Sequence, residues 1–397
     1  MSELLAQLRS QTHVDYLAGE IGPRGTGTAG EAAAADYVAG QLANLSLPVE
    51  RQTFRAVASQ NAFPMAVDLA ALLAVIIYPI GGAVTRWIAA LLALSCAPML
   101  WQAIIHSDSP LRFLLPQVTS RNVVTRIEPS LALRRRIVIL AHIDTNRCRL
   151  AWQSGMVSSL EPLTWLTLAM HALLGLLFLG GALLNGPGWT WWLSLLPTAY
   201  ILGTLITLWR DDLTPFSNGA HDNAASVAVA LDAGRRLADQ PAQHTQVWLA
   251  FTGAEETDHA GVKTLLRTQA AALQAAFFIN LEGVGSGELA YLSRQGLCKP
   301  YRPDPYLLAA CRQTAARQPE LKVGEAQMLM EDEARTLREG GRRAITIAGR
   351  DPATGTLPHW HRPDDTADSV SEAVMQRAAD FILALIQELD AGVVGEE

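Results

Sequence analysis

Sulfur and positive charge are both scarce in this sequence. Its 397 residues include four cysteines, Cys96, Cys148, Cys298 and Cys311, none in a paired or C-x-x-C spacing. That argues against a disulfide framework and against a structural zinc site built from thiolates. Charged residues make up only 17% of the chain, the net charge is −7, and no basic run extends beyond Arg134-Arg-Arg136. No nucleic-acid partner is therefore expected, because phosphate recognition needs a basic patch or stripe. The amino terminus, Met1-Ser-Glu-Leu-Leu-Ala-Gln, lacks a basic segment leading into an apolar core, so no signal peptide is expected. Glycines between Ile21 and Gly30 do not spell G-x-G-x-x-G after a strand, which argues against a dinucleotide site.

Apolar residues are abundant, at 50% of the chain. The excess sits in two blocks, Phe63 to Ile105 and Leu163 to Trp209. The first breaks near Pro79-Ile-Gly-Gly82 and the second at Asn185-Gly-Pro-Gly188. Each block thus reads as two segments near the ~20 residues that cross a bilayer. Backbone polar groups in lipid must be satisfied internally, so the segments are expected to be helices. Of the ten tryptophans only Trp248 and Trp360 lie away from these blocks, a clustering that suits interfacial aromatic belts. Asp68, Arg86 and a short first segment are blemishes on the first hairpin.

An even number of spans leaves the rest of the chain on one side. That side carries Arg51, Arg55, Arg112, Arg121, Arg147, Arg149 and Arg210 near the helix ends, against Arg86 on the other. The positive-inside rule then places the remainder in the cytoplasm, anchored in the cell (inner) membrane. The expected organisation is a discontinuous domain of residues 1–62, 106–155 and 211–397, with transmembrane hairpins at 63–105 and 156–210.

Outside the apolar blocks, strand-like runs alternate with helical ones. Val49 to Phe54, Ile137 to Ala141, Val247 to Phe251, Phe277 to Leu281 and Ala344 to Ile347 read as strands. Leu5 to Leu17, Glu31 to Leu42, Ala224 to Ala238 and Ser371 to Leu389 read as helices. This alternation predicts an α/β fold, a mostly parallel mixed sheet sandwiched by helices.

The residues suited to chemistry fall at strand ends and loops. His142 and Asp144 follow the run Ile137 to Ala141, where a carboxylate two residues on can fix a histidine's tautomer. Asp222, in Gly219-Ala-His-Asp-Asn, is either a helix N-cap or a ligand held at a turn. Glu255 and Glu256 follow another strand. Two acids there are a common helix start, yet neighbours in a tight turn can also point in different directions. Glu282 ends Phe278-Ile-Asn-Leu-Glu, and His361 lies in Pro358-His-Trp-His-Arg-Pro-Asp-Asp-Thr366. In open α/β sheets ligands bind outside the carboxyl ends of the strands. Oxygen and nitrogen donors without thiolates suit a catalytic zinc.

The order His-x-Asp, Asp-Asn, Gly-Ala-Glu-Glu, Asn-Leu-Glu and His-x-Pro-x-Asp-Thr resembles the co-catalytic di-zinc aminopeptidases of metallopeptidase family 28. The resemblance extends to Gly22-Pro-Arg-x-x-Gly-Thr28 and Val49-Glu-Arg-Gln-Thr-Phe54, and covers 1–62, 117–147 and 215–390. It implies that His142 and Glu282 bind one zinc ion, Glu256 and His361 a second, and Asp222 both. It implies Glu255 as general base, with Asp144 orienting His142 and Asp365 doing the same for His361. His359, His221 and His259 are expected to be structural or solvent-facing. Glu282 stands where many members have Asp, and Arg362 where Thr is usual.

The implied activity is a membrane-anchored exopeptidase, aminopeptidase-like, acting on peptide substrates beside the lipid bilayer. The alternatives are a glutaminyl-cyclase-like enzyme on the same fold and a catalytically inactive membrane scaffold. The second hairpin is inserted between His142 and Asp222, so its ends are expected close together, with the mouth of the site near the membrane face.

Overall fold

The apolar run Ile137 to Ala141 lies inside strand β3 of an eight-stranded sheet. The structure, a computed structural model, describes residues 10–106, 111–149, 152, 155–186 and 188–392. In chain order the strands are β1 (Glu50–Val57), β2 (Gln117–Ile127), β3 (Arg135–His142), β4 (Thr245–Thr252), β5 (Phe277–Glu282), β6 (Glu288–Gln295), β7 (Gly324–Met328) and β8 (Arg343–Arg350). Their spatial order is β1-β2-β4-β3-β5-β8-β6-β7. The central four, β4-β3-β5-β8, run parallel, while β2 and β6 flank them antiparallel.

Both faces of the central strands are covered, which is why they read as continuous apolar runs. Ile137, Ile139, Ala141, Leu249 and Phe251 point into one core, filled by the helices Ala29–Asn44, Ala225–Asp239 and Glu372–Gly392. Val138, Leu140, Trp248 and Ala250 point into the other, against the helices Ala260–Thr268 and Glu333–Glu339. This is the mixed α/β sheet flanked by helices that the alternation predicts. Residues 1–9, where the expected helix Leu5 to Leu17 begins, lie outside the described part; a helical segment follows at Ser10–Val14.

The chain divides into two units. One, residues 1–56, 118–148 and 215–397, holds the sheet; the other, 57–117 and 149–214, holds the apolar helices. In the second unit four helices, Ala62–Ile77, Ala83–His106, Leu160–Leu183 and Gly188–Asp211, pack together. Gly175 allows the close approach of two of them: a Cβ there would stand 2.9 Å from Leu94 Cα.

Three of the four helices are long and apolar enough to cross a membrane. The fourth, Ala62–Ile77, has 16 residues and falls short of that length. The first hairpin is thus less regular than two full-length segments, and the even number of spans behind the arginine argument does not follow from helix length.

Asp68 is at home in this helix for a specific reason. It is buried, with Oδ1 3.0 Å from His171 Nε2. Its Oδ2 accepts a hydrogen bond from Thr204 Oγ1 at 3.0 Å. Three helices therefore meet at one carboxylate, and intramembrane ionisable residues pair in this way. Removing one partner of a buried pair typically costs about 3–5 kcal/mol, whereas replacing both by apolar groups is often neutral. Asp68→Ala should accordingly lower the thermal unfolding midpoint in detergent more than the double replacement Asp68→Leu with His171→Leu. An equal or smaller loss for the single variant would remove the pair from the bundle's support.

Candidate metal centre

The carboxyl ends of β3, β4 and β5 converge on one point. His142 is the last residue of β3 and pairs across the sheet with Thr252, the last of β4. Glu255 and Glu256 follow β4 in a tight turn, and Glu282 ends β5. Asp222 enters from a turn before the helix Ala225–Asp239, across a cis Asp222–Asn223 peptide bond. His361 enters from the loop after β8.

Asp222 sits between two pairs of donors. Its Oδ1 is 3.2 Å from His142 Nε2, which is itself 3.1 Å from Glu282 Oε1. Its Oδ2 is 3.1 Å from His361 Nε2, which is itself 3.1 Å from Glu256 Oε1. All five residues sequence reading singled out as ligands are thus brought together, and the two donor triads share Asp222. Zinc–ligand bonds of about 2.0–2.1 Å set the ligands of a tetrahedron about 3.3 Å apart. The observed separations fit that edge. Asp222 Oδ1 is buried and lacks a well-aligned hydrogen-bond donor, as an oxygen reserved for a cation would. The donor set therefore suits zinc.

Asp144 does more than orient a histidine. His142 Nδ1 lies 3.1 Å from the Asp144 backbone oxygen and 3.5 Å from its carboxylate. That carboxylate also accepts the backbone N–H of Glu255 at 3.1 Å and of Glu256 at 3.2 Å, and the Thr26 hydroxyl at 2.9 Å. It therefore fixes the turn that aims both glutamates. Asp365 takes a different part from the one expected: its two oxygens accept the backbone N–H groups of His221 and Asp222, so it holds the Asp222 turn.

Three residues contribute here without having been singled out. Arg24, fully buried, donates to the carbonyls of Leu17, Gly22, Ile143, Asn218 and Gly219, tying the end of β3 to the Asp222 turn. Gly219 has φ 60°, and a Cβ there would stand 2.3 Å from Thr145 Cγ2. Asn146 Nδ2 donates to Glu256 Oε2 at 2.7 Å, steadying a candidate ligand. Arg24 and Gly219 lie inside motifs quoted from the sequence, and Asn146 stands two residues after Asp144, but nothing in the sequence pointed to these contacts. His221 and His259 are buried, in keeping with a structural part, whereas His359 pairs with Asp364 at 3.0 Å and belongs to neither triad.

Strain gathers at the same place. Of eight non-glycine residues with left-handed backbone among the described ones, Ala254, Asp258, His259, His359 and His361 flank the centre. Such conformations cost of order 1–3 kcal/mol each and persist where surrounding structure imposes them.

Crowded acids set the electrostatics. Burial pushes Glu282 up to about 8, against the pull of His142. Burial opposes a charge on His361, but Glu256 and Asp222 outweigh it and lift the imidazole to about 9. Without metal, folded Glu282 keeps a proton that the unfolded chain, with an ordinary value of 4.5, has released. His361 does the same between its ordinary 6.5 and about 9. The folded state then binds more protons, so stability falls as pH rises from 7 to 9, by about 1.4 kcal/mol per unit for each extra proton held. Chelator-treated protein should unfold at a lower temperature at pH 9 than at pH 7, and added zinc should flatten that slope. A metal-free slope of the opposite sign would contradict this balance of charges.

Residues 210–386 match Peptidase family M28. Endoplasmic reticulum metallopeptidase 1 of Rattus norvegicus is 32% identical over 178 residues, 44% of this chain and 19% of that protein. The chain thus spans about a fifth of that relative. The fold is shared with the zinc aminopeptidase BSAP from Bacillus subtilis, at TM-score 0.56 and 15% identity over 96% of this chain and 94% of that one. It is shared equally with Porphyromonas gingivalis glutaminyl cyclase, at TM-score 0.56 and 16% identity over 96% and 97%. Over residues 210–386 the chain is similar to Peptidase family M28.

Proposed function

We propose that the protein is a membrane-anchored zinc exopeptidase of the aminopeptidase kind. The observation that carries this reading is the pair of donor triads sharing Asp222, with Glu255 beside them. His142, Asp222 and Glu282 would hold one zinc ion, and Asp222, Glu256 and His361 the other. Two ions so placed would acidify a water molecule and polarise the scissile carbonyl.

The chain's own residues do the rest. Glu255 accepts the proton of the attacking water and returns it to the departing amine. Its buried position favours uptake of that proton. Burial raises its proton affinity, His142 opposes the rise, and Glu256, Glu282 and Asp144 add to it. Asp144 keeps the turn rigid through the amides of Glu255 and Glu256, so the base does not drift from the reacting atoms.

Three apolar helices of membrane-crossing length, and the likeness to an endoplasmic reticulum metallopeptidase, support anchorage in a bilayer. Were Ala62–Ile77 to cross as a fourth span, the arginine distribution would favour a catalytic unit on the cytoplasmic side of the cell membrane. A panel of aminoacyl chromogenic substrates, their amino-blocked counterparts and a glutaminyl peptide tests the activity. Release from free-amine substrates alone is expected. Cyclisation of the glutaminyl peptide without hydrolysis would move the protein to the cyclase reading, and no turnover of any substrate by zinc-loaded protein would remove the enzymatic one.

A further inference from the structure

The turn after β4 ends on a histidine that caps nothing. His259 precedes the helix Ala260–Thr268 in the N-cap position, where a short polar side chain would ordinarily bond the helix's free N–H groups. Its side chain makes no such bond. Its backbone is left-handed, with φ 48°, directly after a second left-handed residue, Asp258. The ring turns inward and is buried.

Two groups meet the ring. Nδ1 lies 2.9 Å from Thr336 Oγ1, and Nε2 lies 3.5 Å from Glu255 Oε1. Thr336 belongs to the short helix Glu333–Glu339, which is fastened to the end of β4 where Glu333 Oε2 accepts from Thr252 Oγ1 at 2.8 Å. The hydroxyl is thus presented from a fixed backing.

We infer that His259 is a positioning residue for Glu255, holding one carboxylate oxygen so that the other faces the water. The inference rests on Glu255 being the general base. Burial, with Lys263 and Arg335 adding to it, holds the imidazole well below its ordinary 6.5, so the ring is neutral. A neutral imidazole offers one N–H and one lone pair. To act as a base Glu255 must be a carboxylate, which only accepts, so in the active form the N–H belongs on Nε2, facing Glu255. Nδ1 then accepts from the Thr336 hydroxyl, and the donors align from Thr336 through His259 to Glu255 Oε1. At 3.5 Å the last contact is long, as catalytic hydrogen bonds often are before substrate draws the site together.

The test compares His259→Leu, His259→Gln and Thr336→Val in the full-length zinc-loaded protein, with zinc content, KM and kcat measured for each. Loss of a hydrogen bond to a charged group should lower kcat of His259→Leu about ten- to a hundredfold. KM and zinc content should stay unchanged. The Gln variant, whose amide nitrogen reaches where Nε2 lies, should recover most of kcat, and Thr336→Val should lose a smaller share than Leu. A His259→Leu protein with kcat within twofold of the parent overturns the inference. So does loss of zinc in that variant, or a Gln variant as slow as Leu, since either marks a packing role. Glu255→Gln run beside them separates the two readings. If it keeps turnover, the general-base assignment fails; if it loses turnover while His259→Leu does not, only the role of His259 fails.

Discussion

Glu255→Gln should abolish peptide hydrolysis while leaving the metal content and the fold intact. Gln matches Glu in shape and still fills the buried space under the turn, whose amides are held by Asp144 and not by the glutamate side chain. It cannot take up the proton of an attacking water. A positioned general base contributes ~10²–10⁴-fold, so kcat should fall by about that factor with KM little changed. Glu255 belongs to neither of the triads that share Asp222; it does group with His142 and Glu256, but Gln keeps an oxygen donor at that place, so zinc should be retained. Steady-state kinetics together with metal analysis decide the matter. Turnover within a few-fold of the parent would assign the proton transfer elsewhere.

Asp222→Ala should have the opposite signature, losing activity because the metal is lost. Each Asp222 oxygen lies 3.1–3.2 Å from a different imidazole. Without it, the two triads shrink to His142 with Glu282 and His361 with Glu256, and among the described residues only the group His142, Glu255 and Glu256, which includes the proposed base, stays whole. Catalytic zinc sites generally need three protein ligands. The remnants also keep a histidine beside a carboxylate, so each can close on itself as an ion pair. Dialysis against metal-free buffer should strip both ions from the variant under conditions in which the parent keeps them. A variant that held its full complement would show that Asp222 is not shared, and the two-triad geometry would lose its meaning.

Three of the five candidate ligands were legible because each follows a recognisable apolar run, whereas Asp222 and His361 lie in a turn and a loop and were marked by the family resemblance. His142 follows Ile137 to Ala141, Glu282 follows Phe277 to Leu281, and the Glu255–Glu256 pair follows Val247 to Phe251. Period and position together announce a strand and its carboxyl end. What escaped was whatever depends on partners far along the chain. Asn146 meets Glu256 110 residues away, and Arg24 meets Gly219 195 residues away. Neither pairing leaves a local pattern. Strand β6 escaped because its pairing is interrupted, with a register shift between Leu292 and Arg294, and β7 because it is a five-residue edge strand. Asp68 read as a blemish because hydropathy scores a carboxylate singly, whereas its tolerance comes from His171 and Thr204 on other helices. His259 read as an ordinary histidine because nothing local tells that its backbone is left-handed and its ring turned toward Glu255.

The shared carboxylate is tested most directly by anomalous scattering at the zinc edge from crystals of the zinc-loaded protein. Two zinc peaks are expected, one among His142, Asp222 and Glu282 and one among Asp222, Glu256 and His361, about 3.5–4 Å apart as in other two-metal hydrolytic sites. A single peak, or zinc bound elsewhere with these five side chains bare, would contradict it.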